Sequence, residues 1–435
     1  YGLGDNPPTT AALDRLASEG IRFSNFWSQP VCSPTRATVM TGRYGFRTGI
    51  GRPTANGPPM PELPPKPEWA TLEISGMGGG MAGGEVEVRP YLLADEFTLP
   101  MAFKAGEGLG YATAAIGKWH LADVPNGWLD HPNLAGFDHY SGILTGTTPS
   151  FFAWNKVVNG KVSGTVGYAP ADKADDAIRW IGEQGDTPWL LWFAFNLPHT
   201  PLHLPPRENW QSDYSHLDAQ SIPEDSADEY FAAMVEAMDT QIGRLLASLE
   251  SDVRANTYVI FMGDNGTTSG SVSPPFRAGR AKGTVYEGGV NVPLIVTGPG
   301  VARGAVSDAL VNSTDLFVTL MEMAEIDPEE AIPESVTHDS ISFFPLLSDP
   351  EARTERDWLY ADYFYGGFAG VPDADYAMRD RRYKLLRFQG REELYDLQED
   401  PYEHHDLLTG ALSAAGQRAA YERLQERIRT LRSAE

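Results

Sequence analysis

Three short, continuous apolar runs punctuate the middle of the chain, and each breaks off into a polar stretch. Ala112 to Ile116 leads into Gly117-Lys118-Trp119-His120, Trp189 to Phe195 into Asn196-Leu197-Pro198-His199, and Tyr258 to Met262 into Gly263-Asp264-Asn265-Gly266. Runs of this length without alternation predict strands covered on both faces, the pattern of a mostly parallel sheet. Val292 to Val296 predicts one more. Between the second and third runs, Val235, Met238, Ile242, Leu245, Leu246 and Leu249 recur at helical spacing and predict a crossover helix. An open sheet of this kind gathers the carboxyl ends of its strands along one edge, where ligands bind, so His120, His199 and Asp264 are expected to meet there.

Towards the amino terminus, Thr9 and Thr10 precede Leu13, Leu16 and Ala17, and Gly20 closes a predicted helix before a strand at Ile21 to Phe26. Pro34 suits a first helical turn and Gly42 a helix end, which puts Cys32 at a helix N-terminus, where free amides favour an anion. Residues 51–93 hold eight glycines and eight prolines, too many breakers for regular structure, and predict a long loop with no assigned role. From about residue 345 the pattern changes. Tyr376 to Phe388 predicts a half-exposed strand, Leu394 to Leu397 another, and Tyr421, Leu424, Ile428 and Leu431 a final helix. The expected organisation is an α/β domain over 1–344 and a smaller α+β subdomain over 345–435.

Composition narrows the function. The 435 residues carry 34 Lys and Arg against 59 Asp and Glu, a net charge of −25, which argues against nucleic acid or an anionic membrane surface as partner. No stretch approaches the ~18 apolar residues of a membrane span. A single cysteine, Cys32, excludes an intrachain disulfide and a cysteine-built zinc site. Against this acidic background, two segments contain no carboxylate. One lies between Glu19 and Glu62 and holds Arg22, Arg36, Arg43, Arg47 and Arg52; the other lies between Asp264 and Glu287 and holds Arg277, Arg280 and Lys282. The pair reads either as two solvated basic faces or as the two walls of an anion site. A lone cysteine is most simply a small buried hydrophobe, His120 and His199 most simply satisfied histidines, and Asp264-Asn265-Gly266 most simply a turn.

The motifs favour the chemical reading. Cys32-Ser33-Pro34-Thr35-Arg36 followed by Thr41-Gly42-Arg43 resembles the signature of type I sulfatases, whose cysteine is oxidised to formylglycine. Gly117-Lys118-Trp119-His120, Pro198-His199-Thr200-Pro201, Asp264-Asn265-Gly266, Lys282-Gly283 with Tyr286-Glu287-Gly288-Gly289, and Glu393-Leu394-Tyr395-Asp396-Leu397 with Asp400-Pro401 resemble further blocks of that family, in its order. The resemblance implies an alkaline-phosphatase-like α/β fold and a hydrolase for aryl or carbohydrate sulfate esters. It implies a hydrated formylglycine at position 32 attacking sulfur, Arg36 holding it, His120 orienting it, Lys118 and Lys282 clamping sulfate oxygens, and His199 as acid towards the leaving alcohol. Asp264, Asn265 and the oxidised Cys32 would ligate calcium, with magnesium less suited. A formylglycine-generating enzyme becomes an expected maturation partner.

One element is missing from the pattern: family members usually carry an Asp-Asp pair before a Gly-x-Gly-Asp stretch like Gly2-Leu3-Gly4-Asp5, and here the chain opens after it, at Tyr1. The N-terminus is therefore expected to be incomplete, with Asp5 a poor substitute ligand. An acidic chain with one cysteine suits periplasm or secretion better than cytoplasm. His131, His139, His203, His216, His338, His404 and His405 receive no chemical role, and Trp27, Tyr44 and Phe46 are read as core before sugar-stacking rings. Two rival functions remain, a phosphonate or phosphodiester hydrolase of the same superfamily and a sulfated-ligand binding protein that does not turn over.

Overall fold

The computed structural model describes residues 7–54, 57–75, 90–105, 110–223, 226–365, 374–410 and 415–433. Gly2-Leu3-Gly4-Asp5 lies outside them.

Helix α1 (Ala11–Glu19) feeds β1 (Ile21–Trp27), and α2 (Cys32–Thr41) follows. Cys32 is the first helical residue, and Gly42 ends the helix in the left-handed conformation at φ 68°, with its N–H bonded to Thr38 O. Two mixed sheets form the centre. In one, β7 (Val259–Met262), β8 (Leu294–Thr297), β1 and β9 (Ala305–Asn312) lie in that order, with β1 parallel to β9 and antiparallel to β8. In the other the order is β5 (Lys161–Val166), β4 (Ala153–Val158), β3 (His139–Ile143), β2 (Ala112–Lys118) and β6 (Trp189–Ala194), with β2 parallel to both neighbours and a β3–β4–β5 antiparallel edge. The apolar runs thus form the expected strands, and helices flank them as an α/β fold requires.

Strands β6 and β7 each end a sheet and face one another, and both lead towards the same end of the molecule. Among the described residues no strand joins them. A cavity of about 1230 Å³ runs between them, lined by both strands and by Val235, Met238, Leu245 and Leu246 of the long helix α4 (Ala227–Ala247). Trp189–Phe193 and Val259–Met262, which read as covered on both faces, are only partly buried by the described residues.

The C-terminal strands β10 (Leu359–Tyr363), β11 (Asp375–Arg379), β12 (Tyr383–Phe388) and β13 (Arg391–Asp396) form a separate antiparallel sheet. The single strand expected over 376–388 is a hairpin, because the Asp380 carboxylate caps the N–H groups of Arg382 and Tyr383 and turns the chain. The final helix, Ala415–Ser433, packs Leu424 and Ile428 on Leu385 and Leu394 of this sheet. Within 51–93, the described residues carry only an isolated bridge, Ile74 to Leu202, and the Trp69 ring stands edge-on to Phe152 at 5.6 Å.

Candidate active site

Helix α2 begins at the strand ends, and every residue of it is buried. Its first turn makes side-chain bonds in three directions. Ser33 Oγ donates to His120 O at 2.8 Å, Thr35 Oγ1 donates to Asp264 O at 2.6 Å, and Arg36 reaches Lys118 O through Nη1 at 2.7 Å and Asp264 Oδ2 through Nη2 at 2.8 Å. A single helical turn therefore ties together the loops after β2 and β7. Cys32, Thr35 and Arg36 stand at i, i+3 and i+4, on one face of the helix, which is why the Cys-x-Pro-x-Arg spacing serves.

Beyond β2 the chain places His120 at φ 60°, a left-handed conformation that costs a non-glycine residue about 1 kcal/mol or more. The surroundings impose it. His120 N donates to Leu144 O at 3.0 Å, and its carbonyl accepts from Ser33 Oγ and, at 3.0 Å, from Thr54 Oγ1. Its ring spans Cys32 Sγ, 3.2 Å from Nδ1, and Thr54 O, 3.2 Å from Nε2. Because a carbonyl only accepts, Nε2 carries a proton, and Nδ1 accepts from the Cys32 thiol or, in the protonated imidazole, donates to the thiolate. Gly146 lies against the ring; a Cβ there would fall 2.2 Å from His120 Cε1, so only glycine leaves the imidazole its place.

Lys118, at the end of β2, is buried, and Lys282 is half-buried on the loop pinned by Lys282 N to Thr267 O (2.9 Å) and Gly283 N to Pro30 O (2.8 Å). Neither ammonium has a hydrogen-bonded or ion-paired partner among the described residues. Their field is felt throughout the site. Burial pushes the Cys32 thiol up, yet Lys118, His120 and Lys282 together bring it well below its ordinary value. Burial also raises Asp264, but Arg36, Lys118 and Lys282 hold it far below the usual carboxylate range. His199 is lowered to about 3 by burial first and then by Lys118 and Lys282. Its Nδ1 lies 3.1 Å from Thr200 O.

All eight site residues read from the sequence therefore converge on one end of the sheets. Arg36, Lys118, His199, Asp264, Asn265 and Lys282 also line the mouth of the cavity between β6 and β7. For a cation, Asn265 offers an observation: its Oδ1 is buried without a hydrogen-bond partner, while Nδ2 donates to Gly266 O at 2.9 Å. An orphaned carbonyl oxygen beside the Asp264 carboxylate is a hard donor pair, suited to calcium or magnesium rather than to zinc. Among the described residues, no group of three or more His, Cys, Asp or Glu forms a metal cage. Asp5 lies outside those residues.

Three supporting residues escaped the sequence reading. Thr54 holds His120 from inside a loop whose composition carried no sign of a role. Lys173, on α3 (Ala169–Gly182), is fully buried; its Nζ donates to Asn196 Oδ1 and lies 5.3 Å over the Trp154 ring. Asn196 O in turn accepts the His199 N–H at 2.9 Å. The other histidines are elsewhere: His131 accepts from Trp119 Nε1, and His203 is buried against Tyr168 and Phe151. Trp27 and Tyr44 are fully buried.

A thiol at a helix start, an imidazole acceptor on it, two free ammoniums and a second imidazole define a hydrolytic site for an anionic ester. The chain belongs to the sulfatase family, whose model, described as Sulfatase, matches residues 3–326. Residues 280–433 match a C-terminal module described as N-sulphoglucosamine sulphohydrolase, C-terminal. It is a sulfuric ester hydrolase. Among its relatives, the ulvan-active sulfatase of Formosa agariphila is 26% identical over 93% of this chain and 73% of its own length. The N-acetylgalactosamine-6-sulfatase of Sus scrofa is 27% identical over 82% of this chain and 64% of its own. The solved structure of Ps i-CgsB in complex with k-i-k-neocarrahexaose shares the fold at a TM-score of 0.75 and 23% identity, covering 97% of this chain and 88% of that one.

Proposed function

We propose that the chain removes sulfate from sulfated carbohydrates, with a formylglycine made from Cys32 by a maturation enzyme. The observation that carries this reading is the pair Lys118 and Lys282, which both act on Cys32 and make no hydrogen bond or ion pair among the described residues. Two ammoniums without a hydrogen-bonded partner beside position 32 are suited to cradle the non-bridging oxygens of a sulfate ester. A hydrated formylglycine at position 32 would supply an oxygen nucleophile for sulfur and a second hydroxyl through which sulfate could be released.

The chain's residues do the rest. His120 presents Nδ1 as acceptor towards position 32, which suits it to orient a hydroxyl there and take its proton. Arg36 keeps the helix turn against Asp264. His199 is neutral at neutral pH, held so by burial first and then by Lys118 and Lys282; a sulfate seated between those ammoniums offsets their part of the shift and favours the protonated form that a leaving alcohol needs. Asp264 and Asn265 would hold calcium, a Lewis acid that polarises the sulfate and the oxygen nucleophile. The carbohydrate substrate class rests on the named relatives, one active on ulvan and one on an N-acetylgalactosamine 6-sulfate. An acidic chain with one cysteine fits export to periplasm or medium, and no described helix is long and apolar enough to cross a membrane.

The test pairs mass spectrometry with kinetics. Peptide mapping across position 32, after co-expression with a formylglycine-generating enzyme, is expected to show a loss of about 18 Da, beyond the ordinary cysteine oxidation ladder. Only that form should hydrolyse 4-nitrophenyl sulfate and sulfated sugars, and Cys32→Ala should not. Activity in the unmodified thiol form would sink the mechanism. A higher kcat/KM for a phosphodiester would replace the substrate class.

A further inference from the structure

The loop that joins Asp264 and Asn265 to Lys282 rises away from the site and carries an exposed aromatic edge at its far side. Phe276 and Tyr402 are 42% and 38% exposed, with ring centroids 5.1 Å apart and near perpendicular. The His404 ring continues the surface 6.2 Å from Tyr402, tilted by 35°. His404 Nε2 donates to Pro275 O at 3.0 Å, which fixes the ring to the loop and leaves Nδ1 as a free acceptor. Behind this edge lies a cavity of about 350 Å³, lined by Arg280, Arg391, His404, His405, Glu393 and Asp406 among others.

The charges of that cavity are unequally committed. Asp406 is spent on Arg391 Nη2 at 2.7 Å and on the N–H groups of Leu394 and Leu408. Glu393 accepts from the hydroxyls of Tyr286, at 2.8 Å, and Tyr395. Arg280 is held over those two phenol rings, at 4.4 and 5.6 Å, and its Nη2 pairs with Glu393 Oε2 at 3.9 Å, yet its Nη1 is buried without a hydrogen-bond partner. Arg277, exposed next to Phe276, has no carboxylate partner among the described residues. The carboxylates are thus satisfied, whereas guanidinium donors are left over, beside aromatic faces of the size of a sugar ring.

We propose that this edge and cavity are a distal subsite for an anionic oligosaccharide, stacking a sugar on Tyr402 and Phe276 and bonding its sulfate or carboxylate to Arg280 and Arg277. The proposal rests on the carbohydrate sulfatase reading and adds to it: the substrate is a chain that reaches from the Lys118–Lys282 cradle along the 267–281 loop, and not a lone monosaccharide. Because Lys282 closes that loop, a sugar bound on its outer edge also steadies the ammonium at its base.

Isothermal titration of the unmodified thiol protein, which does not turn over, with carrageenan-derived and heparin-derived hexasaccharides tests the subsite. The Phe276→Ala/Tyr402→Ala double variant is expected to bind a hexasaccharide about tenfold more weakly, the loss of two ring contacts, with its affinity for a sulfated monosaccharide unchanged. Both side chains are exposed, so the fold stands without them, and Arg277→Glu gives a second, charge-based arm with the same expected direction. Hexasaccharide binding equal to wild type in both variants, an equal loss for the monosaccharide, or no hexasaccharide binding by wild type overturns the subsite. Turnover of 4-nitrophenyl sulfate by the matured enzyme reports the catalytic reading separately: its absence breaks that reading and leaves the binding result to stand or fall alone.

Discussion

The Cys32 side of the site and the His199 side are held in different ways. Cys32, Arg36 and His120 sit in a buried web in which Ser33, Thr35 and Thr54 each spend a hydroxyl on fixing a backbone carbonyl or a ring. His199, Asp264, Asn265 and Lys282 instead stand on loops along the rim of the space between β6 and β7, partly open and with few bonds of their own. The first arrangement is preorganised at the level of side-chain rotamers. The second places charge correctly but leaves it free to respond to what binds. A site that must hold one atom still and accommodate a range of alcohols gains from that division.

Substitutions on the two sides should separate stability from rate. The largest effect belongs to the cradle: Lys282→Met is expected to lower kcat/KM for a sulfate ester by about 10²–10³, the worth of one preorganised charge in the transition state, with Tm unchanged. Arg36→Met should lose as much activity and also about 2 kcal/mol of stability, because it leaves Lys118 O and the partly exposed Asp264 without their shared donor. Equal Tm losses in the two variants would erase the distinction between the sides. His199→Ala should cost about 10²-fold on an alkyl or sugar sulfate and far less on 4-nitrophenyl sulfate, whose leaving group needs no proton; comparing the two substrates measures the acid role directly.

A smaller effect comes from Thr54→Val, which keeps the shape but removes one of two donors to the strained His120 carbonyl. About 1 kcal/mol of stability should be lost, together with a modest fall in kcat and no change in KM. Finally, Lys173 tests the support under His199. Burial, opposed by Asp172 and reinforced by Lys156, Lys118 and Arg36, lowers its pKa to about 7. A base whose folded pKa is depressed binds fewer protons than the unfolded chain above that value, so its penalty is full below pH 7 and is relieved as pH rises towards 10.5. Thermal melts between pH 6.5 and 9.5 should show wild type gaining stability relative to Lys173→Met; parallel curves would mean that the amine titrates normally.

The legibility of the chain follows the same division. Helix α2 was readable because Pro34 and Gly42 mark a short helix, and because the spacing of Cys32 and Arg36 places both on one face of it. The strand-end histidines and Asp264 were readable because an apolar run that stops at a polar cluster has few other meanings. How fully the described residues cover β6 and β7 was not readable, because a covered strand and a partly covered one have the same apolar letters. Thr54 was hidden for a related reason, since a threonine that holds a ring through its own carbonyl leaves no trace in the composition of a Gly/Pro-rich loop. The hairpin at 380–382 turned on one carboxylate, Asp380, in a stretch otherwise suited to continuing a strand.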